Sequence, residues 1–186
     1  MDVRTMCLGI LSLGEASGYE IKKMLEGPLG SFFDASFGSI YPALSHLTDQ
    51  GLLAMSEQAQ DKRPDKKVYK ITQKGRLALA EALLDKPSRD RIRSDFLASI
   101  LFADLLAPRE LAERLDERLA FHRAMLERLE KYRSDSSEWG TPDLTAGMRF
   151  VNDYGAAIHK AALDFIEQNR HVIEAASMLR RGKAAD

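Results

Sequence analysis

The densest chemistry in the sequence lies between Asp61 and Arg76. Seven cations stand there (Lys62, Arg63, Lys66, Lys67, Lys70, Lys74 and Arg76) against two acids, Asp61 and Asp65. Ammonium and guanidinium groups at this density suit phosphate oxygens, and binding a nucleic-acid backbone releases counterions whatever the base sequence. The rest of the chain does not share the bias. Its 27 Lys and Arg face 28 Asp and Glu, for a formal net charge of −1. A globally basic nucleic-acid binder is therefore excluded, and any polyanion site must be local. Solvated turns also collect lysines, so the meaning of this run depends on what surrounds it.

Upstream, Ile40, Leu44 and Leu47 recur at helical spacing and predict a helix over about 39–50 with that face buried. Its outward residues include Ser39, Tyr41, Pro42, Ser45 and His46. Hydroxyl and imidazole groups bond either bases or phosphates. No arginine or asparagine lies on this face, so specificity would be modest per base or shared with DNA shape.

Enzyme chemistry finds no foothold. The four histidines, at 46, 122, 159 and 171, have no metal-ligand spacing, and Cys7 is the only cysteine. No glycine-rich loop follows a strand to hold a phosphate. No catalytic residue, metal or cofactor is expected. His122 sits on an apolar stripe and reads as a satisfied core histidine, whereas His159 and His171 read as helix surface. Tyr132, Trp139, Phe150 and Tyr154 cluster in sequence near the last loop. Such rings can line a pocket for a small aromatic effector, although aromatics more often pack a helix junction.

The elements that would position these groups follow from periodicity. Val3, Met6, Cys7, Ile10 and Leu11 mark a helix over 3–13. Ser17-Gly18-Tyr19-Glu20 is a capping box opening a second helix to about Leu25, and Gly27-Pro28 breaks it. Pro42 fits only the first turn of the third helix, and Gly51 supplies its left-handed stop. The period then changes to two around Leu53–Met55 and Val68–Thr72, predicting a two-stranded hairpin with a long basic tip across 57–66. Thr72 can cap a fourth helix to about Leu84, and Lys86-Pro87-Ser88 marks a boundary. Three helices, a hairpin and a helix are the order of a winged helix-turn-helix.

Residues 87–186 read as helical, with segments over about 90–106 and from Pro108 to about 133. In the last segment Leu144, Met148, Val151, Gly155, Ile158, Ala162, Phe165, Asn169, Val172, Ala176 and Leu179 keep a 4-3 step. At ~1.5 Å per residue this helix would exceed 50 Å, more than one small domain easily covers. Leu144, Met148, Val151, Ile158, Phe165, Val172 and Leu179 are therefore expected to face a second chain, with part of the stripe packing on 108–133. Asn169 would set register, and Gly155 would mark a close helix crossing or a kink.

Taken together, Gly38-Ser39-Ile40-Tyr41-Pro42-Ala43-Leu44-Ser45-His46-Leu47, then Gly51-Leu52, then Val68-Tyr69-Lys70-Ile71-Thr72-Gln73-Lys74-Gly75-Arg76, resemble the PadR family of transcriptional regulators. Gly18-Tyr19-Glu20-Ile21 matches the family's second helix, and the set covers residues 1–85. Arg91-Ile92-Arg93-Ser94-Asp95-Phe96 and the long helices after it are similar to the virulence-activator-type C-terminal domain of larger members. The resemblance implies a homodimer held by C-terminal helices on inverted-repeat operators, with Tyr41 and its helix in the major groove and the wing on the backbone. Some members respond to phenolic acids or drugs.

The expectation is a mainly α chain: a winged helix-turn-helix over 1–86 and a helical dimerisation domain over 87–186. Its partners would be double-stranded operator DNA, a second copy and a small aromatic effector, and its mode repression. Ser39, Tyr41, Pro42, Ser45, His46, Lys62, Arg63, Lys66 and Lys67 are the expected DNA contacts. The first residues carry no basic leader and no apolar run approaches a membrane span, so the expected location is the cytoplasm. Two rival readings stay open: a winged helix that docks on proteins, and a helical ligand-binding protein whose DNA domain is degenerate.

Overall fold

The computed structural model describes residues 1–27, 30, 37–60, 63–88, 93–139, 141 and 143–184. The chain divides into two compact units, residues 1–89 with 135–145 and residues 90–134 with 146–186. The first break falls close to the Lys86-Pro87-Ser88 boundary, and the segment 135–145 clusters with the first unit.

The first unit opens with α1 (Val3–Leu13), whose N-terminus is held by the Asp2 carboxylate accepting from the Thr5 amide at 2.9 Å. A two-residue strand, β1 (Ala16–Ser17), leads directly into α2 (Gly18–Glu26). The third helix, α3 (Ile40–Asp49), follows a single 3-10 turn, so Pro42 stands in the first turn, where its missing N–H costs nothing. Gly51, at φ 69°, ends it in the left-handed region. Strands β2 (Leu53–Gln60) and β3 (Arg63–Ile71) then form the hairpin, and α4 (Gln73–Ala82) starts from the Thr72 hydroxyl, which accepts from the Gly75 amide at 3.1 Å. Helices α1, α2 and α3 bury Cys7, Leu11, Ile21, Leu25, Ile40 and Leu44 almost completely. Burial, and then Asp2, pushes the Cys7 thiol up to about 12, so it is an inert core group at neutral pH.

Two features of the sheet differ from the sequence expectation. It has three strands, in the order β1-β3-β2, all antiparallel, because Ala16 and Ser17 pair with Tyr69 and Val68. The hairpin strands also run further than the apolar alternation, through pairs such as Glu57 with Lys67 and Gln58 with Lys66. Residues 54–58 are all exposed, so no hydrophobic period marks this part of the wing as strand; cross-strand backbone bonds hold it instead.

The second unit consists of α5 (Asp95–Leu101), α6 (Pro108–Ser134) and α7 (Ala146–Ala184). At ~1.5 Å per residue the 39 residues of α7 extend about 58 Å. Helices α6 and α7 pack antiparallel, with Arg123 donating to Glu167 at 2.6 Å and Arg170 to Asp116 at 2.8 Å. The core joins Ala103, Leu111, Leu115, Leu119 and Ile166, with Phe96 and Ile100 of α5 packed on it.

The expected seam on α7 divides. Met148, Asn152, Gly155, His159 and Ile166 are buried in the chain, whereas Phe150, Tyr154, Ile158, Phe165 and Val172 are exposed. Of the expected interface residues, Leu144 and Met148 are thus already buried, Val151 is half-buried, and Ile158, Phe165 and Val172 face solvent. The Leu179 side chain lies outside the described residues. A single 4-3 register had merged two adjacent stripes, which a helix of 3.6 residues per turn separates over this length. Asn169 is half-exposed, and its amide donates to the Phe165 carbonyl of its own helix at 2.8 Å.

Candidate nucleic-acid interface

In the first unit α2, α3 and the wing surround an open groove of about 770 Å³. Tyr19 comes from the first turn of α2, Tyr41 and Ser45 from α3, and Lys66 and Lys67 from β3. Helical spacing explains the α3 pair: Ile40, Ala43, Leu44 and Leu47 are buried, so 41 and 45 project together on the opposite side. Both tyrosine rings are exposed, an unusual state for large aromatics and one suited to contact with a partner.

The Tyr41 ring packs over Gly18. A Cβ built on Gly18 would lie 2.6 Å from Tyr41 Cε1, so only glycine lets the ring settle against the start of α2. Beneath it, burial and then the neighbouring Tyr41 push the Tyr69 phenol above its ordinary value. Tyr69 therefore stays a neutral hydrogen-bonding group at physiological pH.

The cations of the wing are not equivalent. Lys66 pairs with Glu20 at 2.9 Å and Lys70 with Glu15 at 2.7 Å. Lys67 has no ion-pair partner among the described residues. Lys74 reaches the Gln50 carbonyl at 2.9 Å at the end of α3. Its ammonium thus serves the helix terminus.

The groove brings together four of the expected contacts, Tyr41, Ser45, Lys66 and Lys67. Ser39, Pro42 and His46 do not line it, although Pro42 and His46 are exposed on α3. Lys62 and the Arg63 side chain lie outside the described residues. Tyr19 was missed by sequence reasoning, yet the signal was present: the capping box places Tyr19 in the first exposed turn of α2.

The described members of the expected aromatic effector cluster stand on two helices of the second unit. Tyr132 is buried on α6, with the Arg128 guanidinium donating to its hydroxyl at 3.0 Å. Phe150 and Tyr154 are four residues apart on the exposed face of α7 and stack on each other, 6.4 Å between centroids. The Trp139 side chain lies outside the described residues.

The α6–α7 seam holds another unexpected group. His122 and His159, 4% and 9% exposed, face each other with Nδ1 to Nδ1 at 2.9 Å. His122 is the satisfied core histidine expected. His159 is not on the surface: a one-residue shift of the buried stripe, about 100° around the helix, brings it inward, where the partner ring satisfies its Nδ1. One Nδ1 must carry the proton and the other accept it. Desolvation, then Arg118, then His159 lower the His122 pKa to about 4, and desolvation followed by Arg118 lowers that of His159. Both rings are neutral at pH 7. Beside them an apolar groove of about 450 Å³ runs between α5, α6 and α7, walled by Phe96, Leu97, Ile158, Phe165 and Val172.

Among the described residues no three His, Cys, Asp or Glu side chains are placed to hold a metal, and no helix is long and apolar enough to cross a membrane.

Residues 7–81 match the transcriptional regulator PadR-like family, and residues 92–174 match the virulence activator alpha C-terminal family. The negative transcriptional regulator PadR of Bacillus subtilis is 31% identical over 124 residues, which are 66% of this chain and 68% of that one. The chain belongs to the PadR-like family of transcriptional regulators. The smu.1604c protein of Streptococcus mutans has a similar structure, with 31% identity, a TM-score of 0.79 and coverage of 92% of this chain and 99% of that one. Bacillus subtilis PadR in complex with operator DNA is 26% identical, at a TM-score of 0.75 over 91% of this chain and 98% of that one. The same Bacillus protein in complex with p-coumaric acid is 25% identical, at a TM-score of 0.65 over 92% and 98%. This PadR-like chain is accordingly a winged-helix, DNA-binding regulator of transcription.

Proposed function

We propose that this PadR-like protein is a homodimeric repressor that binds inverted-repeat operator DNA with α3 and the wing. The observation that carries the reading is the groove in which Tyr19, Tyr41, Ser45, Lys66 and Lys67 converge from three separate elements. Aromatic hydroxyls, a serine and ammonium groups on one concave surface suit phosphate positioning together with base-edge contact. Repression is supported by the Bacillus relative, a negative transcriptional regulator. Self-association is supported by the exposed apolar row of α7 and the groove beside it. Phe165 alone is 66% exposed, and monomers rarely leave such a contiguous patch to water. Two-fold symmetry of the protein would then be mirrored in the operator.

The test is a salt titration of binding to the chain's own upstream DNA, with competitor, for wild type and Lys66→Ala/Lys67→Ala. Specific binding that weakens steeply with salt, with a shallower slope for the variant, is the expected result. Absence of binding at low salt would turn the winged helix into a protein-docking module. p-Coumaric acid bound by the Bacillus relative makes small aromatic acids the effector class to add to the same titration; an unchanged operator affinity would remove that class.

A further inference from the structure

The Glu20 carboxylate does more than cap α2. Its Oε2 accepts from the Ser17 amide at 2.8 Å and the Ser17 hydroxyl at 2.7 Å, which closes the capping box. Its Oε1 accepts from Lys66 Nζ at 2.9 Å, across 46 residues of sequence. Ser17 also pairs with Val68 through the β1–β3 ladder. The same short stretch therefore grips the wing twice, by backbone at Val68 and by charge at Lys66. Partial desolvation would raise the Glu20 pKa, but the bonds from Ser17 and Lys66 outweigh it and leave the carboxyl below its ordinary value. Glu20 is an anion at neutral pH, and Lys66 is held where it lines the groove with Tyr19 and Tyr41.

We propose that Glu20 is a positioning residue for DNA discrimination: it aims the Lys66 ammonium into the Tyr19–Tyr41 groove and cancels its charge toward indiscriminate phosphate. This rests on the reading of that groove as the DNA-facing surface. An ammonium already paired releases no counterion on meeting a phosphate unless it leaves Glu20, and leaving would set a bare carboxylate beside the DNA. Random DNA, which offers only its backbone, gains little from Lys66. A site whose acceptor stands at the direction fixed by Glu20 meets a pre-oriented donor.

The experiment measures operator and random-sequence binding of the full chain by fluorescence anisotropy across a salt series. Glu20→Gln keeps an oxygen for the Ser17 cap and removes the charge. Its random-DNA salt slope is expected to steepen by about 0.9, which is roughly a 3.5-fold greater loss of affinity between 50 and 200 mM salt. Its operator preference should fall, and Glu20→Gln/Lys66→Gln should return to the wild-type slope. An unchanged slope in Glu20→Gln, or a double variant that stays as steep as Glu20→Gln, overturns the proposal. Lys66→Gln alone leaves the α2 cap untouched and guards against misfolding of the Glu20 variant. It should leave the random-DNA slope unchanged, and a slope shallower by about 0.9 overturns the proposal. Tyr41→Ala separates the two levels. If it binds operator as wild type does, the groove reading falls and the proposal with it; if it loses operator binding while Glu20→Gln matches wild type, only the positioning role falls.

Discussion

The two units place polar and apolar groups in opposite ways. In the first, the largest fully buried side chains are Leu11, Ile21, Leu25, Ile40 and Leu44, and the ion pairs Lys66–Glu20 and Lys70–Glu15 stay at the rim. In the second, His122, His159 and Asn152 are buried in the chain while Phe150, Phe165 and Val172 face water. Asn152 is 2% exposed, and its Oδ1 finds no hydrogen-bond partner among the described residues. Burying a polar group without a partner costs free energy, and so does leaving large apolar groups wet. Among the described residues the first unit leaves no buried side-chain polar atom without a partner, although it too exposes Leu77, Leu83 and Leu84. The second unit combines an unpartnered buried Asn152 with an exposed apolar row along one helix.

That contrast can be broken most directly through the cores. Leu44→Ala removes a fully buried side chain and is expected to destabilise the first unit by about 2–5 kcal/mol in denaturant melts. Phe165→Asp should leave helix content near wild type yet halve the sedimenting mass at micromolar concentration, weakening self-association at least tenfold, about 1.4 kcal/mol or more. If the mass does not change, the exposed row of α7 is not an interface and the contrast between the units loses its meaning.

Gly18→Ala probes the rim. The new methyl group displaces the Tyr41 ring, and operator affinity is expected to drop by about tenfold with little loss of thermal stability, since the only atoms it meets belong to an exposed ring that can swing into solvent. A large loss of stability instead would make the Gly18–Tyr41 contact a core element.

The histidine pair gives the units different responses to acid. Its folded pKa values lie below the unfolded value of about 6.5, reaching about 4 for His122. The unfolded chain therefore binds more protons across this interval. The stability they contribute is present above pH 6.5 and is lost as pH falls toward 4. The melting temperature of the second unit should drop by a few degrees over that range, and His122→Phe/His159→Leu should flatten the dependence. The smallest effect is electrostatic. Lys67→Ala should reduce the salt slope by about 0.9, and Lys70→Ala, which removes a cation already paired with Glu15, by less. Equal reductions would show that the rim pairs open freely on binding.

Much of the first unit was legible because its signals are local. The Ser17–Glu20 capping box, Pro42 in a first turn and Gly51 at a left-handed stop each depend on a few neighbouring residues. β1 escaped notice because two residues carry no period, and the outer wing because both of its faces are wet. Of the lining of the candidate groove, Tyr41, Ser45, Lys66 and Lys67 were among the expected contacts, but Tyr19 joins it only when α2 and α3 are brought side by side. In the second unit the 4-3 spacing of apolar residues correctly announced a long helix with an apolar stripe at α7. Which stripe turned inward did not follow, because Phe165 and Ile166 are equally apolar and one residue apart, and α6 decides between them.

The burial of Cys7 turns the lone thiol into a clock. A labelling reagent can reach it only while the helices of the first unit are apart, so in the limit of rapid closing the labelling rate is proportional to the population of that open form. Because the second unit has no cysteine, the signal belongs to one half of the molecule alone. How DNA or an effector redistributes openings in that half could then be timed with the natural sequence.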